Sequence, residues 1–185
     1  MKVFKFGGAS VKDAAAVKNV AAILQLFPNE KLVVVISAMG KTTNALERIT
    51  EATFSNRAAI ESLIAEIKKY HFDILEELFN DNTSPVYDEI SNAFVELDWA
   101  TEDEPTMGYD QAYDQIVSVG EIISTKIVSA YLTSVGIKNK WQDARDFICT
   151  DNTYREGKVD WNATEVKAKE KLQFATENIV LTQGF

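Results

Sequence analysis

Residues 3–10 read VFKFGGAS and carry the first signal of the fold. A short apolar run closed by a glycine pair is typical of a buried β-strand that ends in a tight turn. A second run, Leu32 to Ile36, is closed by SAMG at residues 37–40. The segment between them predicts a helix after Asp13, a typical N-cap residue, with one apolar face formed by Val17, Val20, Ala21 and Leu24. Residues 3–36 therefore predict a βαβ unit with parallel strands and a right-handed crossover.

After a helical middle section, the rest of the chain again alternates between predicted strands and predicted helices. Residues 109–134 are apolar nearly all round, which predicts a central buried helix. Short strands are predicted at 137–141, 147–150 and 178–182, with a helix from Asn162 whose inward residues are Val166 and Leu172. The fold class is thus α/β, with an open, mostly parallel sheet.

Composition narrows the classes of function. The 185 residues contain 28 acidic and 19 basic side chains, a net charge of −9, which argues against binding to a nucleic-acid backbone. One cysteine and one histidine make a transition-metal site improbable and exclude a disulfide scaffold. The N-terminus lacks the features of a signal peptide, and no apolar run is long enough to span a membrane. We expect a cytoplasmic protein.

The first candidate site is the loop after the first strand. Glycines at residues 7 and 8 let the backbone approach a bulky anion, and Lys5 is a cation inside what looks like a buried strand. Together these features suit a phosphate. The spacing is equally compatible with a tight turn that follows an edge strand bearing a surface lysine.

The second candidate is the loop after the second strand, residues 37–44. Its Gly-Lys-Thr at residues 40–42 is not a P-loop, because that motif needs a glycine where this chain has Val35. The hydroxyl-rich loop suits a small polar substrate. The alternative is ordinary helix capping by Thr42 or Thr43.

The third candidate lies in the central helix, where residues 118–121 read SVGE. A glycine inside a helix costs about 1 kcal/mol relative to alanine, so it indicates a close backbone approach. Glu121 lies among apolar neighbours and needs a partner to stay charged. A substrate ammonium, Lys126 and Arg145 are all candidates, and spacing does not choose among them.

Four segments in this order resemble the aspartokinase family, within the amino-acid kinase fold. They are residues 5–11 (KFGGASV), Ser37-Ala38 with Thr43-Asn44, residues 118–121, and the closing LTQGF at 181–185. The resemblance spans the whole chain, and the usual signature has threonine where this chain has Ala9. It implies a three-layer αβα fold. It also implies transfer of the γ-phosphoryl group of ATP, with Mg²⁺, to the β-carboxylate of L-aspartate in lysine, threonine and methionine synthesis.

The same resemblance implies roles for particular residues. Lys5 would neutralise charge on the transferring phosphoryl group, and phosphate oxygens would accept hydrogen bonds from Gly7, Gly8 and Ser10. Aspartate would be held by a second set, namely Ser37, Thr43 and Glu121.

The resemblance also sets an expectation about completeness. Residues 1–185 would form the N-terminal, aspartate-side part of the catalytic domain, without the nucleotide-binding half and the ACT regulatory domains. Such a chain is expected to be inactive alone, and its parent to be a homo-oligomer. Two alternatives stay open: a related kinase acting on acetylglutamate, glutamate or carbamate, and a non-catalytic binding module on the same fold. Glu121 discriminates against an N-acylated substrate, which has no ammonium group.

Overall fold

A computed structural model describes residues 1–79 and 83–184. Its single sheet has four parallel strands in the order β1-β2-β4-β3: β1 (Lys2–Phe6), β2 (Leu32–Ile36), β3 (Asn139–Trp141) and β4 (Ile179–Gln183). The helices are α1 (Ala14–Gln25), α2 (Thr42–Ser55), α3 (Ile60–Leu78), α4 (Val86–Glu102), α5 (Tyr109–Ser134) and α6 (Trp161–Lys171). The predicted α/β class and parallel sheet are therefore confirmed.

One face of the sheet carries the main core. Side chains alternate across a strand, so the aligned residues Phe4, Val34, Leu181 and Trp141 all point the same way. This row packs with α5 and α1 in one hydrophobic cluster. The outer helices α2 and α4 pack in turn on α5. The helix predicted to be central is thus buried between the sheet and a second set of helices.

The opposite face is covered at β2, where Val33 is only 6% exposed, and beside β3 and β4. There the Lys140 Nζ donates a hydrogen bond to the Lys171 carbonyl at the end of α6, 2.7 Å away, and Val180 is fully buried. On the other side, Val3 is 63% exposed and Lys5 is exposed as well. Helices on both faces give the expected three layers, and β1 is an edge strand among the described residues.

The structure corrects three details of the sequence prediction. Residues 147–150 do not form a strand, because only Thr150 pairs, in an isolated antiparallel bridge to Val159. Val166 points outward and is 68% exposed, since Thr164 is the one buried residue of α6, where its hydroxyl accepts from the Cys149 N–H at 3.0 Å. Helix α2 is preceded by Lys41 without a side-chain cap, and Thr42 is buried with its hydroxyl donating to the Met39 carbonyl.

Helix α5 is long and apolar enough to cross a membrane by length and composition alone. Its most apolar 18-residue window has a mean hydropathy of 1.3, and 67% of that window is buried inside the protein. Buried polar side chains, including Glu121, Ser124 and Thr125, lie on this helix. The burial identifies α5 as the core helix of this fold.

The single histidine belongs to the packing. His71 is fully buried, and its ring nitrogens lie 2.8 Å from the Ile67 carbonyl and 3.3 Å from the Thr42 hydroxyl. Burial lowers the pKa of His71 to about 4, so the ring is neutral at neutral pH.

Two glycines allow the loops and α5 to meet at Ala38. A Cβ atom built on Gly8 would lie 2.7 Å from the Ala38 carbonyl oxygen and 3.0 Å from that of Gly40. One built on Gly120 would lie 2.9 Å from Leu46 Cδ1 and 3.3 Å from Ala38 Cβ. Gly120, the helix glycine that was predicted to permit a close backbone approach, does permit one.

We predict that Gly8→Ala lowers the free energy of unfolding by about 1–3 kcal/mol, because the new methyl group meets backbone oxygens that cannot turn aside. Urea unfolding followed by circular dichroism measures the change.

Gly7→Ala is the matched control. Nothing lies within 4 Å of a Cβ built on Gly7, and its φ of −76° suits alanine. We expect a change within about 0.5 kcal/mol. Equal destabilisation by the two substitutions would contradict the close contact.

Candidate active site

The carboxyl ends of the strands meet in a set of short backbone contacts. The Ser37 N–H donates to the Phe6 carbonyl at 3.1 Å, and the Gly40 N–H donates to the Gly8 carbonyl at 3.0 Å. On the other side, the Gly184 N–H donates to the Ile36 carbonyl at 3.0 Å. The loops after β1, β2 and β4 are therefore joined at the edge where parallel α/β sheets bind their ligands.

Helix α5 supplies the polar side chains that contact the loop after β2, at the carboxyl ends of the strands. The Ser124 hydroxyl donates to the Ser37 carbonyl at 2.8 Å, and the Glu121 Oε1 accepts from the Ala38 N–H at 3.2 Å. Gly120 makes this possible because it lets the helix backbone approach Ala38. The second and third sequence motifs thus form one site.

Glu121 is the most unusual group in that site. It is only 3% exposed, and its Oε2 has no hydrogen-bond partner among the described residues. Burial raises the pKa of Glu121 to about 7, although the Ala38 N–H acts in the opposite direction. Among residues 1–79 and 83–184, no cation therefore pairs with this carboxyl group.

The two side chains that might have supplied that cation are engaged elsewhere. Lys126 lies 2.9 Å from a Glu89 oxygen and stacks over Trp141, and Arg145 lies 2.6 Å from an Asp143 oxygen. The sequence left three possible partners for Glu121, namely a substrate ammonium, Lys126 and Arg145. Neither Lys126 nor Arg145 pairs with it.

The loop after β1 places its polar groups at the surface. Residues 8–11 form a 3-10 turn in which the Ser10 N–H donates to the Gly7 carbonyl at 2.8 Å. The Ser10 hydroxyl, and not its amide, is therefore the group left for a ligand. Gly7 has open space around it.

Lys5 lies on an edge strand, which is one of the two positions that the sequence left open for it. It aligns with Val35 and Thr182 on the sheet face away from α5, where it is exposed. Within residues 1–79 and 83–184 its side chain makes no hydrogen bond or ion pair. An edge position explains why this lysine needs no partner in the fold.

The predicted substrate residues lie around the same edge but do not all face one cavity. A cavity of about 530 Å³ lies beside the end of β4 and is lined by Glu121, Gln183 and Gly184. Ser37 and Thr43 are half-buried on the neighbouring loop and at the start of α2, outside that lining. Phe185, the last residue of the LTQGF motif, is outside the described residues.

Sequence reasoning assigned no role to Gln183, which connects three elements of the site. Its Oε1 accepts from the Ala144 N–H at 2.6 Å, and its Nε2 donates to the Thr125 hydroxyl at 2.9 Å. The same hydroxyl accepts from Trp141 Nε1 at 2.9 Å and lies 2.8 Å from the Glu121 carbonyl. The signals in the sequence were the position of Gln183 immediately after the predicted strand 178–182 and its place in the LTQGF motif.

Comparisons with known proteins agree with this architecture. The family model described as the amino acid kinase family matches residues 1–185. Aspartokinase 1 of Arabidopsis thaliana, a chloroplastic protein, is 38% identical over 159 residues, which are 81% of this chain and 27% of that protein. The lysine-sensitive aspartokinase 3 of Escherichia coli is 31% identical over 99% of this chain and 40% of its own length.

A solved structure gives the same result. That of E. coli aspartokinase III in complex with aspartate and ADP has a TM-score of 0.86 and 28% sequence identity, covering 100% of this chain and 40% of that one. The chain thus spans well under half the length of the relatives described here. It belongs to the amino acid kinase family, and the relatives that it matches there are aspartokinases.

Proposed function

We propose that these residues are part of an aspartokinase, which transfers the γ-phosphoryl group of ATP to the β-carboxylate of L-aspartate to give 4-phospho-L-aspartate for lysine, threonine and methionine synthesis. The observation that carries the proposal is the buried, unpartnered Oε2 of Glu121 at the ligand-binding edge of the sheet. A similar structure holds aspartate and ADP, which supports the same pair of ligands here.

An α-ammonium group is the partner that Glu121 lacks. A carboxylate removed from water is stabilised by an adjacent cation, and an ammonium group offers three hydrogen-bond donors. An N-acylated amino acid has no such charge and would leave the carboxylate uncompensated. The site therefore favours a free α-amino acid over acetylglutamate.

The other end of the substrate would be held by hydroxyl groups. Ser37 and Thr43 flank the loop that Glu121 anchors through Ala38, and both are half-buried. In the proposed function their hydroxyls would donate to the β-carboxylate while the ammonium group pairs with Glu121. Such an arrangement would fix the attacking oxygen, and positioning of this kind is the main requirement of phosphoryl transfer.

Lys5 and the loop after β1 would bind the phosphates. The Lys5 ammonium is exposed and has no partner among the described residues, so it is free to approach a phosphate. The amides of Gly7 and Gly8 and the Ser10 hydroxyl would donate to the phosphate oxygens. In the described part of the chain no group of three or more acidic, histidine or cysteine side chains could hold a metal ion. We therefore infer that Mg²⁺ arrives with ATP.

The reaction needs no nucleophile from the protein. A β-carboxylate oxygen of aspartate attacks the γ-phosphorus, the bond from that phosphorus to the β,γ-bridging oxygen breaks, and ADP leaves with the electron pair. Lys5 would offset the negative charge on the transferring group.

The parent protein would be larger than residues 1–185. The nucleotide-binding half and regulatory ACT domains would be supplied by other segments, and the parent would be a cytoplasmic homo-oligomer. The 185-residue chain alone would then be inactive in an ADP-release assay, although it retains the aspartate-side groups.

We predict that Glu121→Gln lowers the affinity for L-aspartate by about 30-fold or more at pH 8, because the amide cannot pair with an ammonium group. Isothermal calorimetry on the 185-residue chain measures this, with N-acetyl-L-aspartate as a ligand that should bind to neither protein. Glu76→Gln, an exposed position on α3, is the matched control and should leave the affinity unchanged. Equal affinity in the Glu121 variant would refute the proposed role.

The Glu121→Gln variant should also be more stable than the wild type at high pH. Because the folded-state pKa of Glu121 is raised to about 7 from 4.5, its contribution to stability is fully present below pH 4.5 and is lost as the pH rises through 7. Relative to wild type, Glu121→Gln should therefore gain about 3 kcal/mol in unfolding free energy between pH 4 and pH 8. Urea titrations across this range test the sign, and a pH-independent difference would count against a buried, titrating carboxylate.

We predict that Lys5→Ala weakens binding of inorganic tripolyphosphate to the 185-residue chain about tenfold, since a charge-assisted hydrogen bond is lost. Lys138→Ala is the control, because Lys138 is exposed at the amino end of β3, away from the proposed site. An equal loss in both variants would show that binding follows net charge rather than a phosphate site at Lys5.

A further inference from the structure

A hairpin that the proposed function has not used borders the cavity beside Glu121. Residues 149–160 turn back on themselves, and Thr150 pairs with Val159 in an antiparallel bridge. We call residues 149–160 the strap. Thr150, at the base of the strap, lines the 530 Å³ cavity together with Glu121, while residues 151–158 are exposed. The strap therefore forms part of the cavity wall and projects from it into solvent.

Internal hydrogen bonds give the strap a shape of its own. The Asp151 Oδ1 accepts from the Thr153 N–H at 3.1 Å and from the Lys158 N–H at 3.0 Å. The Asp160 N–H donates to the Cys149 carbonyl at 2.8 Å, which closes the base. Because these bonds lie within the strap, it can move as a unit without breaking them.

Arg155, near the tip of the strap, attaches it to the start of α5. The Arg155 N–H donates to the Asp114 Oδ2 at 2.9 Å, and its Nη1 lies 3.5 Å from the Asp110 Oδ1. The guanidinium carbon lies 4.3 Å from the centre of the Tyr113 ring, a cation–π contact. Backbone, charge and ring contacts of one residue thus converge on the first two turns of the helix.

The backbone of Arg155 is strained. Its φ is 63°, and in the part of the chain that the structure describes no other residue except glycine has a positive φ. A side chain makes this left-handed conformation unfavourable, so the contacts with α5 have to offset its cost. Among the described residues, no hydrogen bond or ion pair joins any other residue of 152–157 to another element. The closed position of the strap therefore depends on Arg155.

Both ends of this attachment lie on the cavity. Thr150 at the base and Asp114, which accepts from Arg155, belong to the same lining, so the strap runs along the cavity wall between them. The Arg155 side chain is 43% exposed, and an exposed ion pair contributes little stability and is screened by salt. Such an attachment can open far more often than the core unfolds.

We propose that the strap is a gate on this cavity, that Arg155 is the latch which holds it against α5, and that release of Arg155 opens the cavity. The inference rests on the proposed function and deepens it, because the ligand that the gate admits is the amino acid proposed to bind beside Glu121. Arg155 acts on access to the cavity and does not itself touch the ligand.

Arg155→Gly tests the latch in the free 185-residue chain. Glycine adopts a φ of 63° without strain and keeps the backbone N–H, so the strap can retain its shape while the side-chain contacts are lost. Amide hydrogen exchange in the strap should become about tenfold faster, and the single cysteine, Cys149, half-buried at the base, should react faster with a thiol reagent. About 0.5 M NaCl should accelerate exchange in wild type but not in the variant.

Two further variants complete the comparison. Arg155→Lys keeps the charge but loses the planar contact with Tyr113, so its exchange rates should lie between those of wild type and Arg155→Gly. Arg48→Gln removes another surface ion pair, 3.7 Å from Glu66, and should leave the strap unchanged. Unchanged exchange in Arg155→Gly would overturn the inference. So would equal acceleration throughout α5, because that result indicates global destabilisation.

The gate is tested by the rates of L-aspartate binding, measured from NMR line shapes. In Arg155→Gly the association and dissociation rate constants should rise together, about three- to tenfold, while the dissociation constant stays within about twofold. Unchanged rates beside faster strap exchange would refute the gate and leave the proposed function intact. If wild type bound no L-aspartate, the proposed function would fail and the gate with it, whereas the exchange measurements would still decide whether Arg155 is a latch.

Discussion

The close approach of three backbone segments at Ala38 is the constraint on which the site depends. Gly8 leaves room for the Ala38 carbonyl, Gly120 leaves room for its side chain, and the Ala38 N–H reaches Glu121. A side chain at either glycine would push apart the loop after β1, the loop after β2, or the central helix. The Gly40 N–H donates to the Gly8 carbonyl and the Ala38 N–H donates to Glu121, so these contacts fix the loop after β2 relative to the loop after β1 and to the central helix.

The same close approach at Ala38 keeps Glu121 buried, and this burial lowers the stability of the folded protein. Holding Glu121 almost fully buried without a cation opposes folding at neutral pH, and the hydrophobic cluster between the sheet, α1 and α5 has to offset it. A group of this kind is common where a protein binds a charged ligand, because the missing interaction is supplied on binding. The nearby cations support this view, since Lys126 and Arg145 have carboxylate partners of their own.

The elements that could be predicted from the sequence are those with a strong local signal. The apolar runs predicted β1, β2 and β4, and Asp13 predicted the start of α1. Gly120 predicted the close approach that α5 makes to Ala38. The failures concern tertiary context. The strand at 147–150 lacked a neighbour to pair with, and Val166 faces outward on α6. The sequence left a buried and an edge position open for Lys5, and the strand order shows that β1 is at the edge. The links through Gln183 join residues far apart in sequence, so no spacing rule could reveal them.

The buried Oε2 of Glu121 has no partner among the described residues, and in the proposed function the ammonium group of an amino acid binds there. Carboxyl-carbon NMR of the 185-residue chain would follow the titration of Glu121 with and without L-aspartate. We expect a midpoint near 7 in the free protein. With saturating L-aspartate the midpoint should fall below about 5, since an adjacent cation favours the charged form. A free-protein midpoint near 4.5, or one that L-aspartate does not move, would refute this role of Glu121.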